Sequence, residues 1–156
     1  MASKILVVGL GNPILCDDSV GMRVAEALKS RINQERVNVV EASIAGLDFL
    51  DLLDGYEKAI IIDAVQTAEG EAGQIYRFEP GTIKPTRHVS TSHDVNFATV
   101  LELSKKLNLL LPKQILIFGI EVKDVSTPRE ECTPEVERAI PLCVKMAAKE
   151  LDGGAD

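Results

Sequence analysis

The sequence predicts an α/β fold: a three-layer α/β/α sandwich around a mostly parallel sheet of about five strands, with one edge strand free to run antiparallel. Three observations predict it. Short apolar runs, mostly β-branched or Leu, recur along the chain, as strands buried on both faces require. Stretches with apolar residues three or four positions apart lie between those runs. One further segment alternates with period two, the pattern of a half-exposed strand.

The four buried strands centre on Ile5–Val8, Val37–Val40, Ala59–Ile62 and Ile115–Phe118. Val20, Val24 and Leu28 mark an amphipathic helix over residues 18–32, with Asp18 near its start. Leu47, Leu50 and either Asp51 or Leu53 suggest a shorter helix after Gly46. The alternating segment is Gly73-Gln-Ile-Tyr-Arg-Phe-Glu79, which ends at Pro80-Gly81 and reads as the edge strand. Asp94 can cap a helix whose Val95, Ala98, Leu101 and Leu107 share one stripe and which stops before Pro112. The last helix takes Thr133 as N-cap and Pro134 as its first residue, and presents Val136, Ile140, Cys143, Ala147 and Leu151. Pro141 inside it removes a backbone donor and predicts a kink.

With 156 residues and no repeat, low-complexity tract or linker, the chain predicts one domain over residues 1–151, followed by a frayed tail at 152–156. A formal net charge of −7 argues against nucleic acid, whose phosphates this surface would repel. Aromatic residues are few and Trp is absent, which disfavours recognition by stacking. Cys16, Cys132 and Cys143 form no CxxC pair or zinc-finger spacing. Neither a signal h-region nor a membrane-length apolar run is evident, so a reduced, cytoplasmic setting is expected. Nothing in the sequence demands more than a monomer.

The first strand runs into Gly9-Leu-Gly-Asn-Pro-Ile-Leu-Cys16, a loop that delivers Asp17 and Asp18 to the head of a helix. The third ends in Asp63. The carboxyl ends of parallel strands line the crevice where ligands bind, so these acids point to a carboxylate site. Taken singly, each has a plainer role. Asp17 or Asp18 can cap the helix and favour its positive end, Asp63 can accept from loop amides, and His88 and His93 can be ordinary loop histidines. Together, the acids and His93 form a divalent-cation site with open coordination positions, suited to nickel and zinc alike.

Other chemistries fit less well. Gly9-Leu-Gly-Asn12 begins like a dinucleotide loop and Glu41 could mimic its ribose-binding acid, but Ile14 stands at the third glycine. Asp17 and Asp18 would also repel a pyrophosphate at the helix entrance. Cys16 as a nucleophile paired with His93 is disfavoured, because neighbouring carboxylates oppose a thiolate. Ser90, Thr91 and Ser92 lack a nucleophile elbow. A phosphoacceptor receiver domain would use Asp17, Asp18, Asp63 and Lys123. Here, however, the loop Leu10–Cys16 separates strand from acid pair, and Asp124 rather than proline follows the lysine.

On these residues the chain resembles the [NiFe]-hydrogenase maturation endopeptidases, over nearly its whole length. Gly9-Leu-Gly-Asn12, four residues and Asp17-Asp18-Ser19-Val20-Gly21 match the opening pattern of that family. Asp63-Ala64 matches its strand ending, and Ser90-Thr-Ser-His93 its histidine segment. Gly119-Ile-Glu121 and Thr133-Pro-Glu-Val136 resemble its later strand end and final helix start.

The resemblance implies an enzyme that recognises the hydrogenase large-subunit precursor once nickel is inserted. It would remove a C-terminal extension by one cut beyond the last metal-binding cysteine motif. It implies Asp18, Asp63 and His93 as the metal-contacting and catalytic residues. Asp17 is left to orient His93 or cap the helix, and the loop Glu41–Gly46 to choose among precursors. The second acid is often Glu in the family, and here it is the shorter Asp18. Ser19 replaces the commoner Gly, which is tolerable if its φ is negative. One histidine with two carboxylates would hold a metal more weakly than a resident catalytic zinc site does. That suits nickel supplied by the precursor, with zinc or another divalent ion able to stand in its place.

Overall fold

The computed structural model describes residues 4–32, 35–43, 51–79, 90–91 and 106–153. Its strands are β1 (Ile5–Leu10), β2 (Val37–Ala42), β3 (Lys58–Gln66), β4 (Ile75–Phe78), β5 (Ser90–Thr91) and β6 (Gln114–Glu121). A 3₁₀ turn, Cys16–Ser19, leads directly into helix α1 (Val20–Lys29), and helix α2 spans Pro134–Gly153.

The sheet runs β2-β1-β3-β6-β4. The β1–β2, β1–β3 and β3–β6 pairs are parallel, and the β4 edge is antiparallel to β6. The expected mostly parallel sheet with one antiparallel edge strand is thus present. β5 adds a short antiparallel pairing, Val65 with Thr91 and Gln66 with Ser90. Because β6 already flanks β3 as far as Val65 opposite Glu121, β5 must lie on the β1 side.

Strand side chains alternate between two cores, as period-two geometry requires. Ile5 and Val7 pack with Val20, Val24 and Leu28 of α1 and with Val136, Cys143 and Ala147 of α2, so both helices cover one face. Leu6, Val8 and Leu10 turn to the other face, with Leu53, Ile61 and Ile117. Of the layer beyond, the structure describes one helical turn at 51–53. Each fully buried Leu or Ile contributes about 1.5–3 kcal/mol relative to exposure, so both cores are substantial.

Two details differ from the sequence reading. Asp63 does not end its strand, because β3 continues to Gln66 through its pairing with β6. Leu107 is not on a buried stripe: it lies in a turn and is 54% exposed, just ahead of Asn108 at φ 55, a left-handed residue that stops a helix. α2 continues as one element through Pro141. Pro141 is exposed, and Glu137, whose carbonyl loses a partner, is on the exposed side too, where water can replace the missing donor. Most of the helix expected from Asp94 lies outside the described residues. No helix among the described residues is long and apolar enough to cross a membrane.

Candidate functional site

Glycines bring α1 against the sheet. Gly9 of β1 faces Gly21 of α1, and a Cβ on Gly9 would fall on the Gly21 carbonyl oxygen. A Cβ on Gly21 would fall on the carbonyl oxygens of Ile62 and Leu10. The head of α1 therefore sits directly on the carboxyl ends of β1 and β3, and the Cys16–Ser19 turn packs against β3. Strand order reverses between β1 and β3, which makes this the crevice expected of an open α/β sheet.

Asp63 occupies a defined gap there. β1 stops pairing with β3 at Gly9 opposite Ile62, and β5 begins at Val65, leaving Asp63 and Ala64 between them. On the other side Asp63 is in register with Gly119. Its Oδ1 accepts from the Ala64 N–H at 2.8 Å, and the residue is only 3% exposed. Asp18, in the turn above, is 5% exposed. The Asp18 N–H donates to the Leu15 carbonyl at 2.9 Å. Two carboxylates at one sheet end are hard oxygen donors of the kind a divalent ion takes.

The neighbouring Asp17 is wholly buried and turned to a different task. Its Oδ1 accepts from the Thr133 N–H at 2.6 Å, and its Oδ2 from Lys123 and Asp124 N–H at 3.2 and 3.1 Å. The Thr133 hydroxyl reaches both oxygens, at 3.0 and 2.9 Å. Asp17 thus ties its turn to the segment after β6 and to the start of α2, and does not cap α1. The expected N-cap residue Thr133 spends its hydroxyl on this bond, while Glu137 reaches back to accept from the Cys132 N–H at 3.2 Å.

The main chain repeats the tie. Leu15 bridges Arg129, the Cys16 N–H donates to the Arg129 carbonyl at 2.8 Å, and the Asp17 N–H donates to the Asp124 carbonyl at 2.8 Å. Cys16 is held at φ 45, in the left-handed region that L side chains rarely adopt. Ser19 has φ −82, so the serine fits where the resemblance leads one to expect glycine. Its hydroxyl donates to the Cys16 carbonyl at 2.8 Å and accepts from Arg23 Nε at 2.9 Å.

The other residues raised by the sequence divide clearly. Burial, then the Asp17 and Asp124 carboxylates, push the Cys16 thiol up, which opposes a thiolate nucleophile. Lys123 places its ammonium 2.6 Å from Glu135, a bond that raises the lysine pKa and lowers that of the acid, so a receiver-like role for it has no support. Glu41 pairs with Lys29 at 3.1 Å. His93 and His88 lie outside the described residues. So do Ser92 and residues 44–46 of the loop Glu41–Gly46. Among the described residues, no three metal-binding side chains cluster.

The bonding role of one group escaped the sequence reading. Glu121, 3% exposed, accepts from Thr67 N–H, Thr67 hydroxyl and Tyr76 hydroxyl at 2.9, 2.6 and 2.8 Å. It locks the far end of β3 to β6 and β4. An acid closing an otherwise apolar strand was the available signal.

Comparison with known proteins bears on this arrangement. The family model HycI, hydrogenase maturation protease, matches residues 22–150. The hydrogenase 2 maturation protease of Escherichia coli K12 is 30% identical over 157 residues, covering 98% of this chain and 94% of that protein. The hydrogenase maturating endopeptidase HybD from E. coli superposes with a TM-score of 0.78 at 26% identity, over 96% of this chain and 94% of the other. The [NiFe] hydrogenase maturation protease HycI from Thermococcus kodakarensis KOD1 shares the fold at TM-score 0.73 and 18% identity, over 96% and 93% of the two chains.

Proposed function

The chain belongs to the hydrogenase maturation protease family, and from that premise we propose that it removes the C-terminal extension of a nickel-loaded [NiFe]-hydrogenase large-subunit precursor, using the precursor's nickel as the recognition element. The observation that carries this reading is the buried carboxylate pair, Asp18 and Asp63, at the reversal of strand order. The resemblance of the Asp17-Asp18 and Asp63-Ala64 segments to the family motifs supports the same reading.

In this mechanism Asp18 and Asp63, with His93 as the imidazole donor, grip the nickel that the precursor already holds. The nickel is cargo of the substrate. When bound, it supplies Lewis-acid polarisation of the scissile carbonyl, directly or through water held near it. Buried acids favour such an ion, because it offsets the cost of keeping them charged away from water. A precursor without nickel offers them nothing, so cleavage follows metal loading. We assign the reaction to the cytoplasm, a setting in which the three free, buried cysteines would stay reduced.

The test is to mix the purified chain with nickel-loaded precursor and weigh the products by mass spectrometry. A single C-terminal truncation is expected with the native chain and none with Asp18→Ala, Asp63→Ala or His93→Ala. Nickel-free precursor should stay intact. Cleavage of nickel-free precursor at the same rate would refute metal-gated recognition. Full activity of all three variants would refute the site.

A further inference from the structure

The acid pair Asp17–Asp18 divides its labour, and the geometry of Asp17 shows how. A carboxylate offers about four lone-pair sites. Those of Asp17 face three backbone N–H groups and the Thr133 hydroxyl, with the Cys16 thiol a further 3.8 Å contact. That leaves it no capacity to bind a cation or to orient an imidazole. Every one of those strong donors comes from residues 123–133, on the far side of the loop from its own turn. Main-chain bonds from Cys16 and Asp17 reach the same segment. Between the tied residues and α1 stands Asp18. Its backbone can shift only if the turn shifts, and Cys16 at φ 45 gives the turn a reason to relax once released.

We propose that Asp17 is a positioning residue: by clamping the Cys16–Ser19 turn onto residues 123–133, it fixes the backbone from which Asp18 is presented to the cargo ion beside Asp63. This inference deepens the proposed function and rests on Asp18 gripping that ion. Thr133 is the other half of the clamp, since it supplies both a backbone and a hydroxyl donor.

The experiment is calorimetric titration of the full chain with Ni²⁺ alone, paired with thermal unfolding of each variant. Asp17→Asn keeps the shape but turns an amide donor toward N–H groups. Thr133→Val removes the hydroxyl at constant volume, and Thr133→Ser restores it. Leu28→Ala, in the core at the other end of α1, serves as a variant that loses stability without touching the clamp. Loss of a group that orients a metal ligand costs about tenfold to 100-fold in metal affinity. Asp17→Asn and Thr133→Val should therefore lose about tenfold or more in Ni²⁺ affinity, with Thr133→Ser and Leu28→Ala near native. An equal loss in Leu28→Ala at a matched unfolding temperature would overturn the inference, because affinity would then follow stability alone. Native affinity in Asp17→Asn beside a loss in Asp18→Ala would overturn the positioning role and leave the site standing. Native affinity in Asp18→Ala, or no Ni²⁺ binding by the native chain, would remove the site and the inference together.

Discussion

Replacing Gly21 by Ala sets two known effects against each other. Inside a helix, Ala is favoured over Gly by about 1 kcal/mol, so propensity alone predicts a more stable protein. The new methyl, however, would fall on the carbonyl oxygens of Ile62 and Leu10. Neither can yield readily, because both belong to strands held by neighbours in the sheet. Overpacking of that kind costs about 1–3 kcal/mol at ordinary core positions, and a clash with two backbone oxygens belongs at or above the upper end. The net expectation is destabilisation by at least about 2 kcal/mol, or about 4–8 °C in Tm for a chain of this size. Relief comes by lifting the head of α1, which carries Asp18 away from Asp63. A displacement of about 1 Å can cost as much as 100-fold in rate, so precursor cleavage at 25 °C should fall at least tenfold although the protein remains folded. Circular dichroism melts and a timed cleavage assay read the two effects separately. A raised Tm with full cleavage would refute the reasoning, since propensity would then outweigh packing and the close approach of α1 would not set the site.

Three further outcomes are expected. Glu121→Gln turns an amide donor toward the donors of Thr67 and Tyr76, and each buried group left unsatisfied costs about 1–3 kcal/mol, so Tm should drop; an unchanged melt would show that the Glu121 bonds contribute nothing net. Pro141→Ala restores a donor for the Glu137 carbonyl and removes a residue about 3 kcal/mol less favourable than Ala in helix interiors, so Tm should rise; a fall would mean that α2 needs the proline for its path. Burial pushes the Cys143 thiol from 9.0 up to about 12, so the unfolded chain releases this proton at lower pH than the folded one. Its contribution to stability is therefore intact below pH 9.0 and is lost as pH rises toward about 12. Denaturant titrations of the native chain and Cys143→Ala should show the shallower alkaline decline in the variant, and parallel curves would contradict the assignment.

Much of this fold was legible because its signals are local. A buried parallel strand announces itself as an apolar run, and α1 as Val20, Val24 and Leu28 on one stripe. β4 was readable from alternation alone. Strand ends were not, because they depend on partners: β3 outruns its apolar run since β6 and β5 continue to pair with it. The site follows the same division. The sequence placed Asp18 at the head of α1 and Asp63 at the end of an apolar run; both are buried, Asp18 in the turn before α1 and Asp63 within β3. The separate duty of Asp17 could not, since its partners lie 106 to 116 residues away and nothing local to the acid pair marks them. Glu121 was passed over for a similar reason: Thr67 and Tyr76 meet it only once the sheet is assembled.

The stitch between Leu15–Asp17 and Asp124–Thr133 also orders events in time. A ribosome delivers β1 and the acid pair first and the groups that secure them last. Until Lys123, Asp124 and Thr133 have emerged, the Asp17 carboxylate lacks every oxygen and nitrogen donor it has in the finished molecule. Pairings this distant in sequence are the slow ones to form. A nascent or truncated chain therefore carries the acid pair without the bonds that hold Asp17. If Asp17 positions Asp18 as proposed, competence to cut arrives with the last quarter of the polypeptide, and the chain is a finished protein before it is an enzyme.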